Sequence, residues 1–209
     1  MNSTTIRLPP SHPGIPPEFA DPHEGIKILG FWLFLTTDVL IFASLFSVYA
    51  VYRSHVAHGP SPLQMVHIGT VLAETLALLT SSFTVGLSIF GMRTGRPRFA
   101  LVMLVMTMAL GLVFLSLEVH EFVVDVGQGA TWHRSAFLSC FYVLIGTHGS
   151  HVTFGFFWAL GILIQWLRRG LTTSLSRQLF TFSLYWHFLD IIWVFIFTVV
   201  YLMSPLPVR

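Results

Sequence analysis

The chain has 209 residues, of which 54% are apolar, 15% aromatic and only 10% charged, with a formal net charge of +2. Soluble proteins carry about 25% charged residues, so eleven basic and nine acidic side chains cannot cover a soluble globule of this length. A nucleic-acid binder is excluded because the basic residues gather into no face, and a disulfide-stapled secreted domain because Cys140 has no partner cysteine. What remains is an integral membrane protein.

Residues 1–27 are polar and rich in proline (Pro9, Pro10, Pro13, Pro16, Pro17, Pro22) and read as a tail outside the bilayer. They lack the short apolar core of a signal peptide, and the apolar run that follows is long enough to be an uncleaved first span. A hydrocarbon layer about 30 Å thick takes ~20 residues of helix. Five stretches meet that length: 28–52, 65–92, 99–124, 136–167 and 178–203, leaving 204–209 as a short external end. The connections hold the turn-formers His58-Gly59-Pro60-Ser61-Pro62, Thr94-Gly95-Arg96-Pro97, Gly127-Gln128-Gly129 and Arg168-Arg169-Gly170. Short connections predict that sequential helices pack as antiparallel neighbours. No segment alternates with period two, so the predicted fold is an all-α bundle of five transmembrane helices rather than a barrel.

Lys and Arg set the expected orientation. Arg7, Lys27, Arg93, Arg96, Arg98, Arg168, Arg169 and Arg177 fall on one side, against Arg53, Arg134 and Arg209 on the other. The N-terminus is therefore expected in the cytoplasm and the C-terminus outside. No internal repeat is visible, which weighs against a secondary transporter.

Six acidic residues fall within or at the ends of the spans: Asp38, Glu74, Glu118, Glu121, Asp125 and Asp190. His120, His148, His151 and His187 join them. Such groups cost several kcal/mol in hydrocarbon unless neutralised, paired or turned toward protein. Counting about 1.5 Å per residue places Asp38, His148, His151, His187, Asp190 and Glu74 near mid-depth. Glu118, Glu121 and Asp125 form an i, i+3, i+7 stripe nearer the outer end of the third span. Two polar zones are thus expected, and their groups serve as proton carriers, lipid contacts or plain helix-packing pairs. The pairs His148-x-x-His151 and His187-x-x-Asp190 have a spacing compatible with Zn, Fe or Cu. Gly146, Gly149 and Gly155 around the first pair favour close helix contact instead. Arg168-Arg169 reads as a topology anchor that can also hold a lipid phosphate.

Four blocks, taken together, are far more specific than any pair of ligands. They are Gly30-Phe-Trp-Leu-Phe-Leu-Thr-Thr-Asp-Val-Leu-Ile-Phe42, Leu117-Glu-Val-His-Glu-Phe122, Gly146-Thr-His-Gly-Ser-His-Val-Thr153 and Ser183-Leu-Tyr-Trp-His-Phe-Leu-Asp-Ile-Ile-Trp193. From about Ile26 to Met203 the chain resembles subunit III of the haem–copper terminal oxidases. Asp38, Ala73-Glu-Thr75 and Arg168-Arg-Gly-Leu-Thr172 look most like the cytochrome bo-type ubiquinol oxidase branch, and the five-helix cytochrome c oxidase form is close.

The resemblance implies a non-catalytic subunit of a bacterial cytoplasmic-membrane complex that reduces O₂ to water. It implies no haem, copper or other metal in this chain; those sit in subunit I, the main partner, beside subunits II and IV. It also implies two helix groups with a cleft that holds phospholipid. Asp38 takes the place of the family's membrane carboxylate, Glu118 that of its third-span acid, and His148, His151, His187 and Asp190 form a polar network on spans four and five. Readings from other classes, a His-rich membrane metalloenzyme or a small transporter, require metal or transport in the isolated chain.

Overall fold

The computed structural model describes residues 24–53 and 68–203. The described residues form five helices: α1 (Glu24–Tyr52), α2 (Ile68–Arg93), α3 (Pro97–Gly127), α4 (Ala136–Arg169) and α5 (Thr173–Ile196), the last continued by a π-helical turn, Phe197–Leu202. All five contain stretches long and apolar enough to cross a membrane.

Helix ends follow hydrogen-bonding chemistry rather than the limits of the apolar runs. The Ser135 hydroxyl accepts from Leu138 N–H at 3.1 Å and starts α4, and Thr172 does the same for Leu175 N–H at 3.2 Å and starts α5. The fifth helix therefore begins five residues before the expected apolar limit at Gln178, and its polar first turn is helix outside hydrocarbon. Pro97, whose fixed φ suits a first turn, opens α3 two residues early, and α1 starts at Glu24, within the stretch expected as tail. The second span is described from Ile68; Met65, the His58–Pro62 connection, residues 1–23 and 204–209 lie outside the described residues. Gly95 at φ 70° makes the α2–α3 connection one residue of left-handed backbone, the conformation glycine adopts without steric cost.

Helices α2, α3, α4 and α5 close a four-helix ring, with each packed on the next and α5 returning to α2. The expectation that sequential helices are neighbours holds around this ring and fails at α1, which packs on α4 and α5 rather than on α2. Residues 54–67, which separate α1 from α2 in sequence, lie outside the described residues. Only 17% of the most apolar window of α1 is buried, against 50% for α2, so α1 exposes most of its surface to whatever surrounds the bundle.

Lipid tails provide no hydrophobic drive between helices, so polar contacts and small residues hold the ring together. The Trp186 indole N–H donates to Ser81 Oγ at 2.9 Å and the Trp193 indole N–H to Thr75 Oγ1 at 3.0 Å, both joining α5 to α2. Thr84 and Thr107 hydroxyls meet at 2.8 Å, and the Ser88 hydroxyl donates to Ala100 O at 2.8 Å, both joining α2 to α3. The Trp186 ring fits because Gly111 and Gly155 face it: a Cβ on Gly111 lies 2.9 Å from Cζ2, and one on Gly155 lies 3.0 Å from Cζ3. By contrast, a Cβ on Gly161 meets nothing within 4 Å. Gly111→Ala is therefore expected to destabilise the bundle by about 1–3 kcal/mol through overpacking. Gly161→Ala is expected to be neutral or to stabilise by up to about 1 kcal/mol through helix propensity. Thermal unfolding of the two variants in detergent checks this; equal melting shifts would refute the packing role of Gly111.

Candidate functional site

The layer expected at mid-depth is two clusters with an isolated histidine between them. In the first, α4 presents His151 to α1, with His151 Nε2 lying 3.9 Å from Asp38 Oδ1. His151 Nδ1 is 2.7 Å from the Thr147 carbonyl. A carbonyl only accepts, so Nδ1 carries the hydrogen, and in a neutral ring Nε2 faces Asp38 as an acceptor. At 3.9 Å the two groups are close neighbours without a direct hydrogen bond. The Tyr185 hydroxyl donates to the His151 carbonyl at 3.1 Å and joins α5 to the same group. A groove of about 340 Å³ opens here between α1 and the ring, lined by Phe34, Asp38, Ser150, His151, Phe154 and Tyr185. It is continued by a second hollow over Phe154, Phe157 and Trp158.

In the second cluster α5 meets α2. The Ser82 hydroxyl lies 2.6 Å from His187 Nδ1 and is hydrogen-bonded to Asp190 as well, so one serine bridges the His187-x-x-Asp190 pair. His148 belongs to neither cluster. Its ring is wholly buried against Phe42, Phe114 and Trp193, and neither nitrogen has a hydrogen-bond partner. The network expected from His148, His151, His187 and Asp190 is therefore divided among three places. An i, i+3 pair leaves a helix within a ~60° sector, and the neighbour that each side chain meets decides its surroundings. No three His, Cys, Asp or Glu side chains converge as metal ligands among the described residues.

Glu74 moves from one zone to the other. On α2 it faces Glu118 and Glu121 of the antiparallel α3. It therefore joins the acidic zone rather than the layer of histidines and aspartates. There Glu74, Glu118, Glu121 and Asp125 are all buried, and Tyr201 approaches all four. The π-helical turn accounts for Tyr201: its wider i→i+5 bonding, seen as Met203 N–H to Thr198 O at 3.0 Å, rotates the residues beyond it about the helix axis. Arg168 and Arg169 project from the last turn of α4 and are exposed. Ser82 is the cluster member that no motif in the sequence singles out. Hydroxyls recurring in an apolar span, as in Thr75, Ser81, Ser82, Thr84 and Ser88, were the available signal.

A closed helical ring with a flanking helix, and ionisable groups turned into helix interfaces, defines a polytopic membrane subunit built to pack against neighbours. The chain matches the family model described as cytochrome c oxidase subunit III over residues 20–205, and it belongs to that family. It is 45% identical over 189 residues to the quinol oxidase subunit 3 of Bacillus subtilis, covering 90% of this chain and 93% of the relative. It is 44% identical over 182 residues to the cytochrome bo(3) ubiquinol oxidase subunit 3 of Pseudomonas aeruginosa, covering 87% of each. A third relative, the cytochrome c oxidase subunit 3 of Bacillus sp. PS3, is 44% identical over 178 residues, covering 85% of this chain and 86% of its own. With five spans and bacterial relatives, the protein is a multi-pass subunit of the bacterial cytoplasmic membrane.

Because His148 offers both nitrogens to no partner and sits in an aromatic cage, His148→Phe is expected to keep thermal stability within about 1.5 kcal/mol of the parent, as volume-conserving core exchanges do. His187→Phe breaks the Ser82 bridge and leaves buried polar atoms unmatched, for an expected loss of about 1–3 kcal/mol. Melting curves of the two variants distinguish packing from ligation: a large loss for His148→Phe would point to an essential polar role.

Proposed function

We propose that the chain is the accessory, non-catalytic subunit III of a proton-pumping haem–copper quinol oxidase, the complex that reduces O₂ to water. The observation that supports this best is the 45% identity to a quinol oxidase subunit 3 over nine-tenths of the chain. Subunit I is the principal partner and holds the haems and copper, and subunits II and IV complete the assembly. The Lys/Arg bias supports a cytoplasmic N-terminus and an external C-terminus. A cytochrome c donor is the second reading, favoured by the 44% identity to a cytochrome c oxidase subunit 3.

In this reading the groove between α1 and the ring holds a phospholipid. Phe34, Phe154, Phe157 and Trp158 offer surface to an acyl chain, while the polar groups of Asp38, Ser150 and His151 stand where a glycerol or ester oxygen can bond. The exposed Arg168 and Arg169 offer guanidinium groups to a phosphate of a surface lipid. The subunit supports proton uptake by subunit I through its carboxyls and its lipid, Asp38 foremost, without turnover of its own.

Gentle-detergent purification of a tagged copy is expected to yield a complex with a haem difference spectrum and a large polytopic partner, oxidising quinol in preference to reduced cytochrome c. A colourless solitary chain would overturn the oxidase reading, and preference for cytochrome c would overturn the quinol one. Asp38→Asn is expected to shorten the working life of the complex and reduce co-purified phospholipid while leaving assembly intact. Unchanged lifetime, proton stoichiometry and lipid content would reduce Asp38–His151 to a packing pair.

A further inference from the structure

Between α2 and α3, three carboxyl groups from two helices share one apolar enclosure. Glu118 and Glu121 lie one turn apart on α3, and Glu74 faces them from α2. Glu74 is 0% exposed, and neither of its oxygens has a hydrogen-bond partner; Glu118 Oε1 and Glu121 Oε1 are buried in the same state. Among the described residues no ion pair reaches any of the three. Among the described residues, the surrounding elements supply no neutralising cation at this place. Helix α4 offers Tyr142, whose hydroxyl donates to Ala130 O at 2.7 Å, and the caged His148. The π-helical turn offers Tyr201, and α3 itself adds Asp125 one turn further on and His120 at the surface.

The backbone is shaped around this cluster. Gly149 of α4 presses on Glu118, and a Cβ there would lie 2.5 Å from Oε1 and 2.9 Å from Cδ, so glycine is what admits the carboxyl to the interface. A cavity of about 180 Å³, lined by Thr70, His120, Glu121 and Val124, ends on Glu121. At ~30 Å³ per molecule in the liquid it has room for several waters, and its hydroxyl, imidazole and carboxyl give them the polar partners they need. Glu121 is six residues from the end of α3, about 9 Å of helix, so this cavity lies near the end of the span, close to water.

Three adjacent carboxylates in a low-dielectric enclosure without a cation repel one another and lose their hydration, whereas carboxyls that retain protons are neutral and can bond to one another. We propose that Glu74, Glu118 and Glu121 form a proton-binding site, with Glu121 as its mouth on this polar cavity and Glu74 as its closed inner end. A hydronium ion in the cavity transfers its proton to a Glu121 carboxylate oxygen. One O–H bond forms on Glu121, one breaks in the hydronium, and a water molecule remains. From Glu121 the proton passes on to Glu74 or Glu118, each transfer breaking the O–H bond of the giving carboxyl and making one on the receiving carboxylate. The site thus holds protons within the membrane close to the 128–135 connection, remote in sequence from Asp38. It depends on neither the electron donor nor the partner set, so its failure is separable from failure of the quinol oxidase reading.

The test is infrared spectroscopy of the tagged chain in lipid nanodiscs, together with whatever subunits purify with it, before and after transfer to D₂O. Wild type minus the triple variant E74Q/E118Q/E121Q is expected to show protonated-carboxyl C=O absorption that shifts on deuteration. E121Q is expected to retain the Glu74 and Glu118 absorption but to slow its deuteration on the order of a hundredfold, the low end of what a positioned proton-transfer group supplies. E74Q is expected to remove intensity without changing the rate. If the triple variant fails to assemble, the three single variants provide the same subtraction one group at a time. Carboxylate bands in place of carboxyl bands, as an ion pair with a neighbouring subunit's Lys or Arg would produce, overturn the proposal. Wild-type exchange kinetics in E121Q also overturn it.

Discussion

Hydrocarbon cannot solvate a carboxyl, an imidazole or a hydroxyl, and every such group within a span must find protein, water or a proton. That constraint organises this chain more than hydrophobic burial does, because apolar side chains are as comfortable against lipid as against one another. The ring α2–α5 is sewn together where polar groups meet: Trp186 to Ser81, Trp193 to Thr75, Thr84 to Thr107, and Ser82 to His187. Three of these four join α5 to α2, helices far apart in sequence, and they close the ring. Glycines at 111, 149 and 155 make the approach possible by giving up the volume that an indole or a carboxyl occupies.

Helix α1 stands outside that arrangement and leaves a groove between itself and the ring. Its contact with the ring runs through α4 and α5, and its one buried acid, Asp38, meets His151 at the edge of the groove rather than in a sealed core. A polar pair at a groove wall can respond to what fills the groove. A hydrogen-bonded pair within the ring, such as Ser82 and His187, holds helices together.

The two polar zones differ in kind. The Asp38 and His187 clusters mix acids with imidazoles and hydroxyls. The acidic zone has no such balance. Glu74, Glu118 and Glu121 are enclosed together, and a cavity at Glu121 connects them with polar surroundings. The same energetic rule therefore produces helix-packing pairs in one half of the bundle and a store for protons in the other.

Much of this was legible in the chain itself. Five apolar runs of spanning length, their turn-forming connections and the acids and histidines misplaced within them follow from bilayer thickness and the cost of burying charge, which act on local sequence. Four ordered blocks were enough to indicate the family. Helix ends were less legible, because Ser135 and Thr172 start helices by hydrogen bonding outside the apolar runs. Helix adjacency and side-chain partnership were decided only by the tertiary structure. Helix α1 packed on α4 and α5 rather than on α2, His148 and His151 met different surroundings despite their shared spacing, and Glu74 crossed from the mid-depth layer to the acidic one. The physical reason is that periodicity fixes the direction in which a side chain leaves its own helix, while the packing of neighbouring helices fixes what it meets there.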